Sequence, residues 1–173
     1  MRRRVRTVTL SFAVLAAAAC GRPSSDALPP PVATAVAALA DECSRVDGIP
    51  HTDGAVKRAD FTGDGREDFV LYTGWIDCEN AASIYGDREK GVAVYTGDGA
   101  GAAAAAFDDS VYDVTIEDNA GARQLWLTVA AQRCGRPQAA SFSEESFCDR
   151  AIVWDAAAGR FDYAPVSTVR MIE

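Results

Sequence analysis

Asp60, Thr62, Asp64 and Asp68 fall within residues 59–70, A-D-F-T-G-D-G-R-E-D-F-V, and Gly65 directly follows the third of them. Numbered from Asp60, the oxygen donors occupy positions 1, 3, 5 and 9, with the glycine at position 6. A chain that wraps a hard cation needs alternate side chains facing inward and one residue able to turn sharply, which Gly65 supplies. Arg66 at position 7 would lend its backbone carbonyl while its side chain faces water. Carboxylate, hydroxyl and carbonyl oxygens suit Ca²⁺, and no soft donor is present to draw zinc or copper. The metal-ligand set read from the spacing is therefore Asp60, Thr62, Asp64, the Arg66 carbonyl and Asp68. The metal-free alternative is a cluster of Asx turns in which Asp60 and Asp64 bond nearby amides. Against it stands the repulsion of three carboxylates held within about 6 Å of one another.

The loop departs from an EF-hand, because position 12, where a bidentate glutamate closes that site, is Leu71 inside the apolar run that follows. The stretch instead resembles the FG-GAP or VCBS calcium-loop repeats of integrin-like propellers and secreted bacterial proteins. In those an aspartate-rich loop runs straight into a strand, and residues 91–101, G-V-A-V-Y-T-G-D-G-A-G, followed by Phe107 look like their second half. The resemblance covers residues 59–107 and implies the same five ligands, with Asp68 closing the site. Thr62 stands where the family has Asp or Asn, so affinity should be modest. One repeat does not make a propeller. T-G-D-G recurs at residues 96–99 without flanking aspartates, and there Asp98 and Gly99 read as a turn.

The elements that must carry this loop follow from the rest of the chain. Residues 1–19 combine four arginines at positions 2, 3, 4 and 6 with an uncharged stretch from Thr7 to Ala19, a secretory signal rather than a membrane span. Cys20 followed by Gly21 resembles a bacterial lipobox, although Ala17 stands where Leu, Val or Ile is usual. That implies lipidation of Cys20, a membrane partner through the anchor, and outer-membrane or periplasmic placement in a Gram-negative cell. A plain secreted form is the alternative. Residues 20–31, rich in proline and small polar residues, form a tether. Residues 32–173 form one domain.

The whole chain carries 17 basic and 25 acidic residues, and loss of the four leader arginines leaves 13 against 25, a net of −12. A nucleic-acid partner is excluded by that balance, since phosphate binding needs a basic face. Of five cysteines, Cys20 is spoken for, and Cys43, Cys78, Cys134 and Cys148 form an even set suited to an oxidising compartment. Cys134 and Cys148 flank a 13-residue loop between strand-like runs, so a bridge there clamps a hairpin and leaves Cys43 with Cys78. No C-x-x-C element supports zinc, and His51 is the only histidine.

Val32, Val36, Leu39, Cys43 and Val46 recur at helical intervals up to the stop at Asp47 and Gly48, predicting a helix of about 13 to 15 residues. Residues 68–74, 91–97, 111–118, 123–131, 150–155 and 160–166 read as strands. In the third, Tyr112, Val114 and Ile116 alternate with Asp113, Thr115 and Glu117, so the sheet has one wet face and antiparallel neighbours. D-N-A-G-A-R and D-A-A-A-G-R read as hairpin turns. A short helix is predicted at residues 78–85, a loop around His51, and core positions for Trp126, Trp154 and Phe161. Residues 102–107 carry no readable pattern. The fold class is therefore α+β: an amphipathic helix packed on a mainly antiparallel, disulfide-stabilised sheet.

No G-x-S-x-G elbow or histidine constellation supports a hydrolase. Asp108 with Asp109, or Glu144 with Glu145, would supply material for a glycosidase-like site, but neighbours on a strand or loop point apart. The reading is a non-enzymatic envelope lipoprotein with a structural calcium loop, serving as a binding or scaffold module for a protein or carbohydrate. An acidic envelope hydrolase and a secreted protein-binding module are the alternatives.

Overall fold

Proline at the first helical turn has no amide to waste, and the chain enters helix α1 there, at Pro30–Ser44, two residues before the first apolar position of the predicted pattern. The computed structural model describes residues 27–119 and 122–172. The leader, Cys20 and the tether up to Asp26 lie outside the described residues. Eleven strands follow among those described: β1 Ile49–His51, β2 Val56–Ala59, β3 Asp68–Tyr72, β4 Asp77–Glu79, β5 Lys90–Gly97, β6 Ala103–Val111, β7 Asp113–Asn119, β8 Ala122–Ala130, β9 Phe147–Asp155, β10 Arg160–Tyr163 and β11 Arg170–Met171. One sheet runs β2-β3-β5-β6, a second runs β10-β9-β8-β7 with β11 added to β9, and β1 pairs with β4 in a separate ribbon. Every pairing is antiparallel. The fold is mainly antiparallel β with one helix.

The two larger sheets share one apolar cluster. Val70, Tyr72, Val92, Val94, Ala106 and Val111 come from the first, and Val114, Leu125, Leu127, Val129, Ile152 and Phe161 from the second. All five residues of β3 are buried, because this strand is covered on both faces. Val70 and Tyr72 face the shared core, whereas Leu71 joins a second cluster with Cys43, Ala55, Ile76, Cys78 and Tyr85, against which Ala35, Val36 and Leu39 of α1 lie. The Cys43–Cys78 disulfide and a 2.7 Å bond from the Tyr85 hydroxyl to the Leu39 carbonyl tie the helix into that cluster. The second disulfide joins Cys134 to Cys148, so both expected pairings are present.

Several expectations are corrected. Of residues 102–107, silent in the sequence, 103–107 enter β6, which pairs with β5 from Lys90↔Val111 to Gly97↔Ala103. His51 is on β1 rather than in a loop, and the helix expected at 78–85 is replaced by β4 and turns. Val46 is exposed beyond the helix end. Phe161 is buried and Trp154 packs on the shared core. Trp126 alternates with Leu125 and Leu127 on β8, so it sits on the opposite face, with the Arg170 guanidinium 3.5 Å from its ring centre. Among the described residues no helix is long and apolar enough to cross a membrane.

Candidate functional site

The chain leaves β2 at Ala59 and re-enters β3 at Asp68, so residues 60–67 must reverse direction within the space between two neighbouring antiparallel strands. Gly63 and Gly65 make that reversal by adopting φ of 79° and 80°, a left-handed backbone that a side chain would strain. The resulting turn points its amides inward, and the aspartates receive them. Asp60 Oδ1 accepts from the amides of Gly63 at 2.7 Å and Asp64 at 3.2 Å, and from the Thr62 hydroxyl at 3.3 Å. Asp60 Oδ2 accepts from the Gly65 amide at 2.7 Å.

Asp64 faces a different partner. Its Oδ1 accepts from the Arg66 amide at 2.9 Å, and its Oδ2 accepts from Arg66 Nε at 2.9 Å and from Arg66 Nη2. The Arg66 side chain and amide hold the Asp64 carboxyl below its usual range, and Asp64 in turn raises the guanidinium. Both groups are on the surface.

Asp68 faces the interior, on the same side of β3 as Val70 and Tyr72, and no part of it is exposed. Oδ2 accepts from the amides of Phe61 at 2.9 Å and Thr62 at 3.0 Å, while Oδ1 accepts from Gly97 at 3.1 Å on β5. Burial pushes the Asp68 carboxyl up, and the three amides offset this only in part. Gly97 must lack a side chain, since a Cβ there would stand 2.1 Å from the Glu67 carbonyl oxygen.

The three expected aspartate ligands thus face different partners, while the Thr62 hydroxyl, bonded to Asp60 at 3.3 Å, also donates toward Asp64 and Asp68. Asp60 wraps the turn, Asp64 is spent on Arg66, and Asp68 is spent on three amides, two of them buried. Among the described residues no three acidic, histidine or cysteine side chains converge as a metal site would require. As arranged, the three carboxylates do not fit a calcium cage closed by Asp68.

The second T-G-D-G is the expected turn: Asp98 Oδ1 accepts from Ala100 at 2.7 Å and Ala102 at 2.9 Å, which holds its carboxyl below the usual range. The two T-G-D-G turns lie side by side. Between them opens a cleft of about 320 Å³ lined by Thr62, Asp64, Arg66, Thr96, Asp98 and Trp154, among others.

The acid pairs offer no free catalytic carboxyl in Asp109. Its Oδ1 accepts from Arg133 Nη2 at 2.8 Å, and its Oδ2 accepts from Arg133 Nη1 and from the Tyr163 hydroxyl, the latter at 2.8 Å. Burial pushes Asp109 up, but these donors outweigh it and hold the carboxyl below its usual range. Glu145 accepts from the Ala131 amide at 3.1 Å, and Glu144 and Asp108 are exposed. His51 Nε2 lies 3.4 Å from Glu79 on the exposed β1–β4 ribbon.

The Asp109–Arg133–Tyr163 cluster was not foreseeable from local sequence. Its members come from β6, from the turn after β8 and from β10, and they meet only because the two sheets stack. Arg150 extends it, donating from Nη1 to the Arg133 carbonyl at 2.8 Å and from Nε to the Ala164 carbonyl at 2.7 Å. Comparison with protein-family models, with curated proteins and with solved structures finds no match, so the functional reading rests on this geometry.

Proposed function

We propose that this chain is an exported, lipid-anchored, non-enzymatic module of the cell envelope that binds a carbohydrate across the cleft between its two T-G-D-G turns. The single observation that carries the reading is the composition of that cleft, which sets Trp154 beside Thr62, Thr96, Asp64, Asp98 and Arg66 in about 320 Å³. An indole offers an apolar surface to a sugar ring, and hydroxyls, carboxylates and a guanidinium serve its hydroxyl groups. Pockets of this order suit small ligands with a few placed polar groups. In this reading α1 packs on the outer face of the β2-β3-β5-β6 sheet and the two disulfides make the body a rigid support. Export and the anchor rest on residues 1–21.

Titration calorimetry of the purified chain against soluble envelope oligosaccharides, including peptidoglycan fragments, tests the binding claim. Saturable heat that Trp154→Leu and Thr96→Val both weaken supports it. Absence of heat from the whole panel at about 10 mM, weaker than the usual range for small-ligand recognition, overturns it. Mass spectrometry of the mature N-terminus tests the anchor by the presence or absence of a lipidated Cys20.

The resemblance to calcium-loop repeats supplies a second reading, in which Ca²⁺ stiffens the loop after Asp64 and Asp68 leave the partners they hold here. Gly65 at φ 80° directly after the third donor is the feature that favours it.

A further inference from the structure

We infer that the Arg66 guanidinium is the resident cation of the Asp60–Asp68 loop, and that the loop closes without a metal. This goes beyond the carbohydrate reading and does not depend on it.

A metal in such a loop has two tasks: to offset the repulsion of crowded carboxylates and to hold the chain in a tight reversal. Both are accomplished here by the chain. Seven backbone amides donate to the three aspartates: Gly63, Asp64 and Gly65 to Asp60; Arg66 to Asp64; and Phe61, Thr62 and Gly97 to Asp68. Each carboxylate oxygen has at least one donor. The positive charge comes from Arg66, whose Nε and Nη2 both reach Asp64 Oδ2. Its stem lies against the neighbouring turn, where a Cβ on Gly99 would meet Arg66 Cδ at 3.3 Å. From there the guanidinium also feels the charges of Asp68 and Asp98. The arginine at position 7, which the cation-wrapping pattern treats as a bystander facing water, is bent back over the loop.

The orientation of Asp68 makes the arrangement asymmetric. Strand periodicity places Asp68 on the core side of β3, and its three amides include one from β5, so turning it outward toward Asp60 would empty a buried position and leave two buried donors, Phe61 and Gly97, unpaired. Such a rearrangement is opposed by the full desolvation cost of those donors. Arg66, by contrast, is at the surface and reaches its partner without disturbing the core.

The test uses the full mature chain, treated with a chelator and then melted with and without CaCl₂ at about 10 mM, ten times the weakest affinity usual for extracellular calcium modules. The expected result is no calorimetric heat of calcium binding and a melting temperature that matches, within error, a control in which NaCl supplies the same ionic strength. A saturable heat, or a rise of several degrees specific to calcium, overturns the inference. The second arm removes the resident charge. Arg66→Gln should melt lower than the parent chain, and the deficit should shrink as NaCl rises, because exposed carboxylates left without a counter-ion are screened by salt. Arg66→Lys, which keeps the charge, should recover part of the deficit. A glutamine variant that melts with the parent at low salt, or a deficit indifferent to salt, overturns the role given to Arg66. Neither arm involves a sugar, so failure here is distinguishable from failure of the cleft to bind one.

Discussion

Replacing Asp68 by asparagine changes one oxygen to a nitrogen in a position with no access to water. The carboxylate accepts from Phe61 and Thr62 on one oxygen and from Gly97 on the other. The best orientation of the amide keeps its oxygen on the Phe61 and Thr62 side, and its NH₂ group then faces the Gly97 amide, donor against donor. One unpaired buried amide costs about 1 to 3 kcal/mol, and two bonds to a charged acceptor become weaker neutral ones, so a total of about 3 kcal/mol is expected. For a domain of roughly 140 residues this corresponds to a fall of about 10 °C in melting temperature. Asp60→Asn is the control: the turn it serves is open to solvent at Gly63, Asp64 and Gly65, water can replace what is lost, and about 1 kcal/mol is expected.

Differential scanning calorimetry of the three proteins decides the matter, and its pH dependence adds a signed test. Burial raises the folded Asp68 carboxyl above its unfolded value. The pH-dependent part of its contribution is therefore complete below the unfolded pKa of about 3.9 and is lost as pH rises through the folded pKa. The asparagine does not titrate, so the gap between parent and variant should widen as the pH is lowered from neutral, while effects of the other carboxylates cancel in the difference. An Asp68→Asn protein melting within about 2 °C of the parent, or less affected than Asp60→Asn, would refute the claim that Asp68 is the buried pin of the loop.

Two further perturbations reach the rest of the body. Arg133→Met leaves the half-buried Asp109 without its guanidinium and should cost about 2 kcal/mol, below the range for fully buried pairs because both groups are part exposed. Since Asp109 is held below its usual range, the stability it contributes is present above the unfolded pKa and is lost as pH falls through the folded one. Acid melts of Arg133→Met should consequently be flatter than those of the parent, and parallel curves would count against the pairing. Removing the Cys134–Cys148 bridge by paired serine substitution opens a loop with a sequence separation of 14 and should cost about 3 kcal/mol. Removing Cys43–Cys78, with a separation of 35, should cost nearer 4 kcal/mol if chain entropy governs the effect, and urea melts of the two variants compare them directly.

What could be read in the sequence is what depends on neighbours in the chain. The alternation of Tyr112, Val114 and Ile116 with Asp113, Thr115 and Glu117 announced β7, and the flanking of one loop by Cys134 and Cys148 announced their bridge. Alanine carries little preference for a strand, so β6 was invisible, and residues 103–111 are extended because the edge of β5 offers them partners along its whole length. Pairing also explains why residues 78–85 are not a helix: Cys78 lies opposite Pro50 in the β1–β4 ribbon and is bound to Cys43, which commits the start of that stretch to extended backbone. Trp126 was misplaced by treating an aromatic in a strand as interior without counting the period from Leu125 and Leu127.

The loop shows how donor order and donor direction come apart. Spacing alone put Asp60, Thr62, Asp64 and Asp68 in the sequence positions of a cation-wrapping set, and it is silent on where each carboxylate points. The missing constraint was nevertheless available in the strand that follows. Val70 and Tyr72 are large apolar residues at even spacing from Asp68, and a strand with those two in the core must carry Asp68 on the same face. Once Asp68 is committed inward it needs donors that come with the fold, and the amides of Phe61, Thr62 and Gly97 provide them without any ion. Asp64 is then left as a surface carboxylate two residues from an arginine, and a counter-charge supplied by the chain itself costs no translational entropy, unlike one recruited from solution. On the inference that Arg66 is the loop's resident cation, the identity of residue 66 sets this loop apart from a metal-wrapping loop with the same acidic spacing.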